Sequence, residues 1–173
     1  MNMERRSAIK SVFTGIGVVF TMPSWANNWN EKSLIVSKSM FNKSEENTLT
    51  NIVATIIPEG EVPGAQSLGV PILINKIVAD CFDPKQQSDF KVGLKSVENI
   101  AQVIHNQSFA KCELVQKLGV LKALETSSDP NKKSFFAQIK NLTIQGYTSS
   151  EYVQTKHLNY NMAPGHYYGC VSV

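Results

Sequence analysis

Apolar residues recur every three or four positions in five successive segments of this chain, and prolines mark most of the joints between them. In the first segment Leu49, Ile52, Val53, Ile56 and Ile57 stand at i, i+3, i+4, i+7 and i+8, which is one buried stripe of a helix. Ser44 reads as its cap, Glu45 and Glu46 suit its positive first turn, and Pro58 ends it. Glu59 to Gly69 is a turn-rich loop holding Gly60, Pro63 and Gly64. Pro71 suits the first turn of a second helix, with Val70, Leu73, Ile74, Ile77, Val78 and Cys81 as its apolar face. Asp83-Pro84 restarts the chain as cap and first helical residue, with Gln86 at the capping-box position. Phe90, Leu94, Val97, Ala101 and Ile104 give a third stripe, and Leu114, Leu118, Leu121 and Leu124 a fourth, which Gly119 interrupts without breaking. Asp129-Pro130 opens a fifth helix with Phe135, Phe136, Ile139 and Leu142, and Gly146 reads as its stop. Ser149-Ser150-Glu151 starts a short last helix running to about Leu158. No segment alternates as a strand does. The expectation is an all-α fold: one compact helical domain over 44–173, of five to six helices, with an irregular aromatic tail from Asn159.

Ahead of that domain the chain has a different character. Arg5-Arg6 and Lys10 precede a mostly apolar stretch from Val12 to Phe20, then Pro23 and the small-x-small triplet Ser24-Trp25-Ala26. This is the charged, apolar and cleavage layout of an export signal over residues 1–26. Its apolar run is roughly ten residues, half of the ~20 that span a bilayer, so cleavage after Ala26 fits better than a retained anchor. Arg5 and Arg6 are the only arginines in the chain. Lysine would have supplied the charge, so paired guanidinium groups point to a receptor that reads their shape, as the twin-arginine translocase does. Residues 27–43 read as a polar, loosely packed arm. Without the signal the chain has 14 basic against 13 acidic residues, so its apparent basicity belongs largely to the address. A nearly neutral, arginine-free body is a poor binder of nucleic acid.

Motifs for chemistry are sparse. The sequence has no GxGxxG, no GxxxxGK[ST], no CxxCH and no GxSxG. His105, His157 and His166 lack the spacing of a zinc helix, and His105 reads as a residue at a helix end. The pairs Glu45-Glu46 and Glu59/Glu61 read as helix-start charges or loop solvation. No catalytic, cofactor-binding or metal-binding residue is therefore assigned. Cys81, Cys112 and Cys170 remain in the exported chain, and an exported protein permits disulfides. A Cys81–Cys170 bond would pin the tail and, by closing a loop of about 90 residues, add ~3–4 kcal/mol. A bond from Cys170 to a partner chain and unbonded thiols are the alternatives, while Cys112 reads as an ordinary helix-start residue. The tail from Met162 to Cys170 is rich in Tyr, Pro and Gly, which suits an interface or a cover over its own helices.

Several blocks together resemble the gluconate 2-dehydrogenase subunit 3 family. They are Thr55-Ile56-Ile57-Pro58-Glu59, Val62-Pro63-Gly64-Ala65, Leu68-Gly69-Val70-Pro71, Ala79-Asp80-Cys81-Phe82-Asp83, Phe90 with Gly93-Leu94, and Leu142 through Tyr147 to Glu151. The ending with Tyr160, Pro164-Gly165 and Tyr168-Gly169-Cys170-Val171 continues the set, which spans about residues 48–172. One departure is Cys112-Glu113, where relatives often start the fourth helix with Ser-Pro or Thr-Pro. The resemblance implies a small, non-catalytic helical subunit with a twin-arginine signal. It would accompany a large FAD-dependent flavoprotein of the glucose-methanol-choline (GMC) type, often with a multihaem cytochrome c carrying haem c as a third subunit. Pro63, Gly64, Tyr147, Tyr160, Pro164, Gly165, His166, Tyr167, Tyr168 and Cys170 are then candidate partner-interface residues. On this reading the chain supports folding, export and stability of a periplasmic sugar or sugar-acid dehydrogenase. It would be membrane-associated only through that complex, with FAD in the partner and no cofactor of its own. The rival expectations are an independent periplasmic enzyme or ligand-binding protein, and an export chaperone that lets its cargo go.

Overall fold

The computed structural model describes residues 39–161 and Gly165. Among the described residues there are six α-helices, one short 3-10 turn and no strand. The helices are α1 (Lys43–Ile56), α2 (Val70–Cys81), α3 (Pro84–His105), α4 (Leu114–Glu125), α5 (Pro130–Thr148) and α6 (Glu151–Lys156), with the 3-10 turn at Phe109–Lys111. The all-α expectation holds. No helix among the described residues is long and apolar enough to cross a membrane.

Helix starts follow side-chain chemistry. Asp83 accepts from the backbone N–H of Gln86 at 2.7 Å, while Gln86 Oε1 accepts from the N–H of Asp83 at 3.1 Å, completing the expected capping box. Asp129 accepts from the N–H of Asn131, and Ser150 from that of Val153. The first helix corrects the sequence reading. Its cap is Asn42, not Ser44: Asn42 Oδ1 accepts from the N–H of Glu45, and Glu45 answers by accepting from the N–H of Asn42. The arm expected to stay loosely packed to Lys43 joins the body earlier. Phe41 is buried and stacks on Phe90 at 5.8 Å, and Ser39 Oγ accepts from the side chain of Asn75. Once Phe41 finds an aromatic pocket, the polar residues beside it are fixed as caps and turns.

Phe90 centres the core. Phe41, Phe82 and Phe135 surround it at 5.8, 6.3 and 5.2 Å, the last two edge-on. Gly93, one turn along α3, makes room for that packing, since a Cβ there would lie 2.1 Å from the Phe135 ring. Ile52, Ile74, Val97, Leu124 and Ile139 complete a core drawn from α1 to α5. The end of α2 is capped from outside: Gln87 Nε2 donates to the carbonyls of Val78, Ala79 and Phe82, groups that a helix end leaves unpaired.

Several stripe residues lie elsewhere than expected. Leu73 and Ile104 are exposed, and Cys81 is a free, exposed thiol rather than part of the α2 core face. In α4 the core takes Val120, Leu121 and Leu124, leaving Leu114 and Leu118 outside. Gly146 does not stop α5. The helix runs on to Thr148, and Gly146 is packed where a Cβ would meet Val70 at 2.9 Å. A glycine near a helix end reads as a stop, but here tight packing, not a turn, calls for it.

Candidate functional site

The loop from Ile57 to Gly69 is built more tightly than its composition suggests. Glu59, at its start, folds back across it. Its carboxylate accepts from the backbone N–H of Gly64 at 2.7 Å and from that of Ser67 at 3.1 Å. The N–H of Ala65 donates to the carbonyl of Ile57, and that of Val70 to Ala65, so the loop is tied to both flanking helices. Gly64 sits against the chain itself: an added Cβ would lie 2.7–2.8 Å from backbone atoms of Pro58 and Glu59. Gly69 turns the chain into α2 with φ of 73°, a left-handed conformation that favours glycine. From across the fold, the Tyr147 hydroxyl on α5 donates to the carbonyl of Pro63 at 3.4 Å.

Electrostatics match this geometry. The Glu59 carboxyl is held below its ordinary value of 4.5, first by the Gly64 N–H and then by hydrogen bonds from Ser67. Donors aimed at a carboxylate favour its charged form. Glu59 had read as loop solvation; it is an exposed side chain committed to shaping the loop. An acid opening a Gly- and Pro-rich segment was the available signal, because such a loop has backbone donors with no helix or strand to take them. With its oxygens so engaged, Glu59 acts as a structural acceptor.

Of the candidate interface residues, Pro63, Gly64 and Tyr147 come together at this loop. Tyr160 follows α6, exposed, its N–H donating to the carbonyl of Gln154. Gly165 is exposed with φ of 74°. Pro164, His166, Tyr167, Tyr168 and Cys170 lie outside the described residues, as do Arg5, Arg6, Lys10, Ser24 and Ala26. The Cys81–Cys170 pairing therefore has only one described member, the free Cys81. Cys112 is buried and hydrogen-bonded to the Ser108 carbonyl, packed before α4 rather than in its first turn. There Gln116 Oε1 accepts from the N–H of Glu113, a capping contact at the start of α4.

Elsewhere the surface offers shallow hollows. One of about 200 Å³ lies between α3 and the start of α5, with Phe135 and Gly93 among its lining and Asp89, Asp129, Lys132 and Gln138 around it. His157 packs edge-on to Tyr152, and His105 is half-buried in the last turn of α3. Among the described residues no three His, Cys, Asp or Glu side chains gather where they could hold a metal ion.

The blocks that shape the loop, the α2–α3 joint and the α5–α6 joint are those that carried the family resemblance, and a family model for gluconate 2-dehydrogenase subunit 3 matches residues 43–165. The chain belongs to that family. The match covers the whole helical body and well over half of the chain. No curated protein and no solved structure matches it. Within the family frame, Pro63, Gly64 and Tyr147 form one structural unit joining the loop to the end of α5.

Proposed function

We propose that this chain is the non-catalytic small subunit of a periplasmic dehydrogenase that oxidises gluconate or a related sugar acid. The family match over residues 43–165 carries this reading. The large partner is an FAD-dependent flavoprotein of the GMC type, with a multihaem cytochrome c as a third subunit and electron outlet. The small subunit steadies the flavoprotein. Its twin-arginine signal takes the folded, cofactor-loaded pair through the translocase, and the complex then associates with the membrane. Two features support a scaffolding role. The 57–69 loop is preorganised, which reduces the ordering cost of docking. Its acid is already engaged by backbone amides.

The test is to express the full chain together with its proposed GMC-type flavoprotein partner, and also alone. The expected outcome is a flavin-containing complex that oxidises gluconate in the periplasm, with the chain alone colourless and inactive. Deleting residues 1–26 should leave the flavoprotein in the cytoplasm. Flavin binding or turnover by the isolated chain would overturn the reading.

A further inference from the structure

We propose that the groove between α3 and the first turns of α5 seats a single zwitterionic phospholipid. Its ethanolamine headgroup lies at Asp89, Asp129 and Lys132, and one acyl chain runs along Ile100, Val103 and Ile104. The hollow of about 200 Å³ described above is one end of this groove. A second hollow, of about 360 Å³, continues it along the C-terminal half of α3, lined by Ser96, Asn99, Ile100, Val103, Ile104 and Lys132. Ser96 and Lys132 line both hollows, so the two form one trough. Val92, Ser96, Asn99 and Val103 recur at helical spacing and share a face of α3. The body packs on the opposite face of that helix, through Phe90, Leu94, Val97 and Ala101.

The two ends of the trough differ in character. At one end Asp89, Asp129 and Lys132 stand around Gly93 and Phe135. Asp129 gives one oxygen to the N–H of Asn131, and neither Asp89 nor Lys132 has an ion-pair partner among the described residues. At the other end the lining is aliphatic, with Val103 85% and Ile104 55% exposed and Ile100 half-buried. Lys132 suits the junction, since a lysine presents an apolar stem below a charged head.

An occupant that carries charge at one end and hydrocarbon at the other complements both. Two carboxylates and one ammonium leave the polar end net negative, which works against an anionic headgroup. A zwitterion fits it: the ethanolamine ammonium meets Asp89 and Asp129, and the phosphate meets Lys132. Length agrees. From Gly93 to Ile104 the trough follows α3 for about 16 Å. One leaflet's share of a bilayer's hydrocarbon core is about 15 Å. The apolar end is small beside the roughly 800 Å² per partner of a stable protein interface, and a single acyl chain asks for less. Such a seat would give the membrane association proposed above a contact on this chain's own surface. The inference extends that reading, and its test does not depend on it.

The experiment titrates the isotope-labelled full chain with palmitoyl lysophosphatidylethanolamine below its micellar concentration and follows the backbone amides by NMR. Saturable shifts are expected at 89–104 and 129–138. Affinity should be at least tenfold weaker for the hexanoyl analogue and for palmitoyl lysophosphatidylglycerol. V103E should weaken binding at least tenfold while keeping the thermal midpoint, because Val103 is mostly solvated. D89K turns the polar end net positive and should reverse the headgroup preference. An absence of saturable shifts in the trough would overturn the proposal. So would binding that V103E leaves intact, which would place the lipid on the apolar stretch of residues 12–20 or on another surface. Equal affinity of the wild-type chain for both headgroups would remove the charge argument and the proposal with it. A wild-type dimer that V103E dissociates would assign the trough to a second copy instead.

Discussion

At the scale of single residues, small changes in shape decide more than charge does. Gly93 is the clearest case. Its missing Cβ is what lets the Phe135 ring pack edge-on to Phe90. Gly93→Ala improves helix propensity by about 1 kcal/mol. It also drives an atom into a buried ring, and overpacking of that kind costs about 1–3 kcal/mol. With 2.1 Å between the new atom and the ring, the clash dominates, and urea denaturation should show a net loss of stability. Glu59 shows the opposite use of a residue, since its charge shapes backbone. Its carboxyl is held below the ordinary value of 4.5, so the folded loop binds its proton less readily than the unfolded chain does. The stabilisation is therefore present above that ordinary value and is lost as pH falls through the lower, folded one. Amide exchange at Gly64 and Ser67, corrected for intrinsic pH dependence, should lose protection on acidification. Glu59→Gln should show reduced protection already at neutral pH. Protection at Gly64 that is unaffected by both changes would show that another group shapes the loop.

At the scale of elements, the chain announces its helices wherever a side chain must meet an unpaired backbone group. Asp83-Pro84, Asp129-Pro130 and Ser150 are such places, and each starts a helix as the sequence implies. Faces were harder to read. Periodicity says which residues share a side of α4 but not which side the neighbours cover, because α4 is apolar nearly all round. The same limit hid the burial of Phe109 in its 3-10 turn, which no stripe includes. It also hid the Glu59 contacts, which join residues five and eight apart through backbone donors. Of the site, Pro63, Gly64 and Tyr147 were legible through the family resemblance, while the hydrogen bond joining them required the fold. Gly119 is a further product of element-scale reasoning. It lies inside α4, and nothing stands within 4 Å of where its Cβ would be. Gly119→Ala should therefore stabilise the chain by about 0.5–1 kcal/mol through backbone entropy alone. Thermal denaturation should show a rise of a few degrees, and a fall would mean that Gly119 is packed against something the chain carries elsewhere.

At the scale of the whole molecule, the distribution of arginine bears on the proposed export signal. Both arginines lie at positions 5 and 6, and every other Lys or Arg position in the chain is lysine. If the signal worked only as a positive end ahead of an apolar run, lysine would serve equally, because charge is all that such a signal needs. If a translocase reads the pair, the planar guanidinium fork matters and an ammonium cannot replace it. The double variant Arg5→Lys, Arg6→Lys keeps the charge and removes the fork, so it distinguishes these cases without altering the helical body. Under the proposed function, that variant should leave both this chain and its flavoprotein partner in the cytoplasm, measured by fractionation and by gluconate oxidation in intact cells. Unchanged export would mean that the chain crosses unfolded by the general route. A partner folded around FAD could not travel with it that way, so the escort role would fail even though membership of the family would stand.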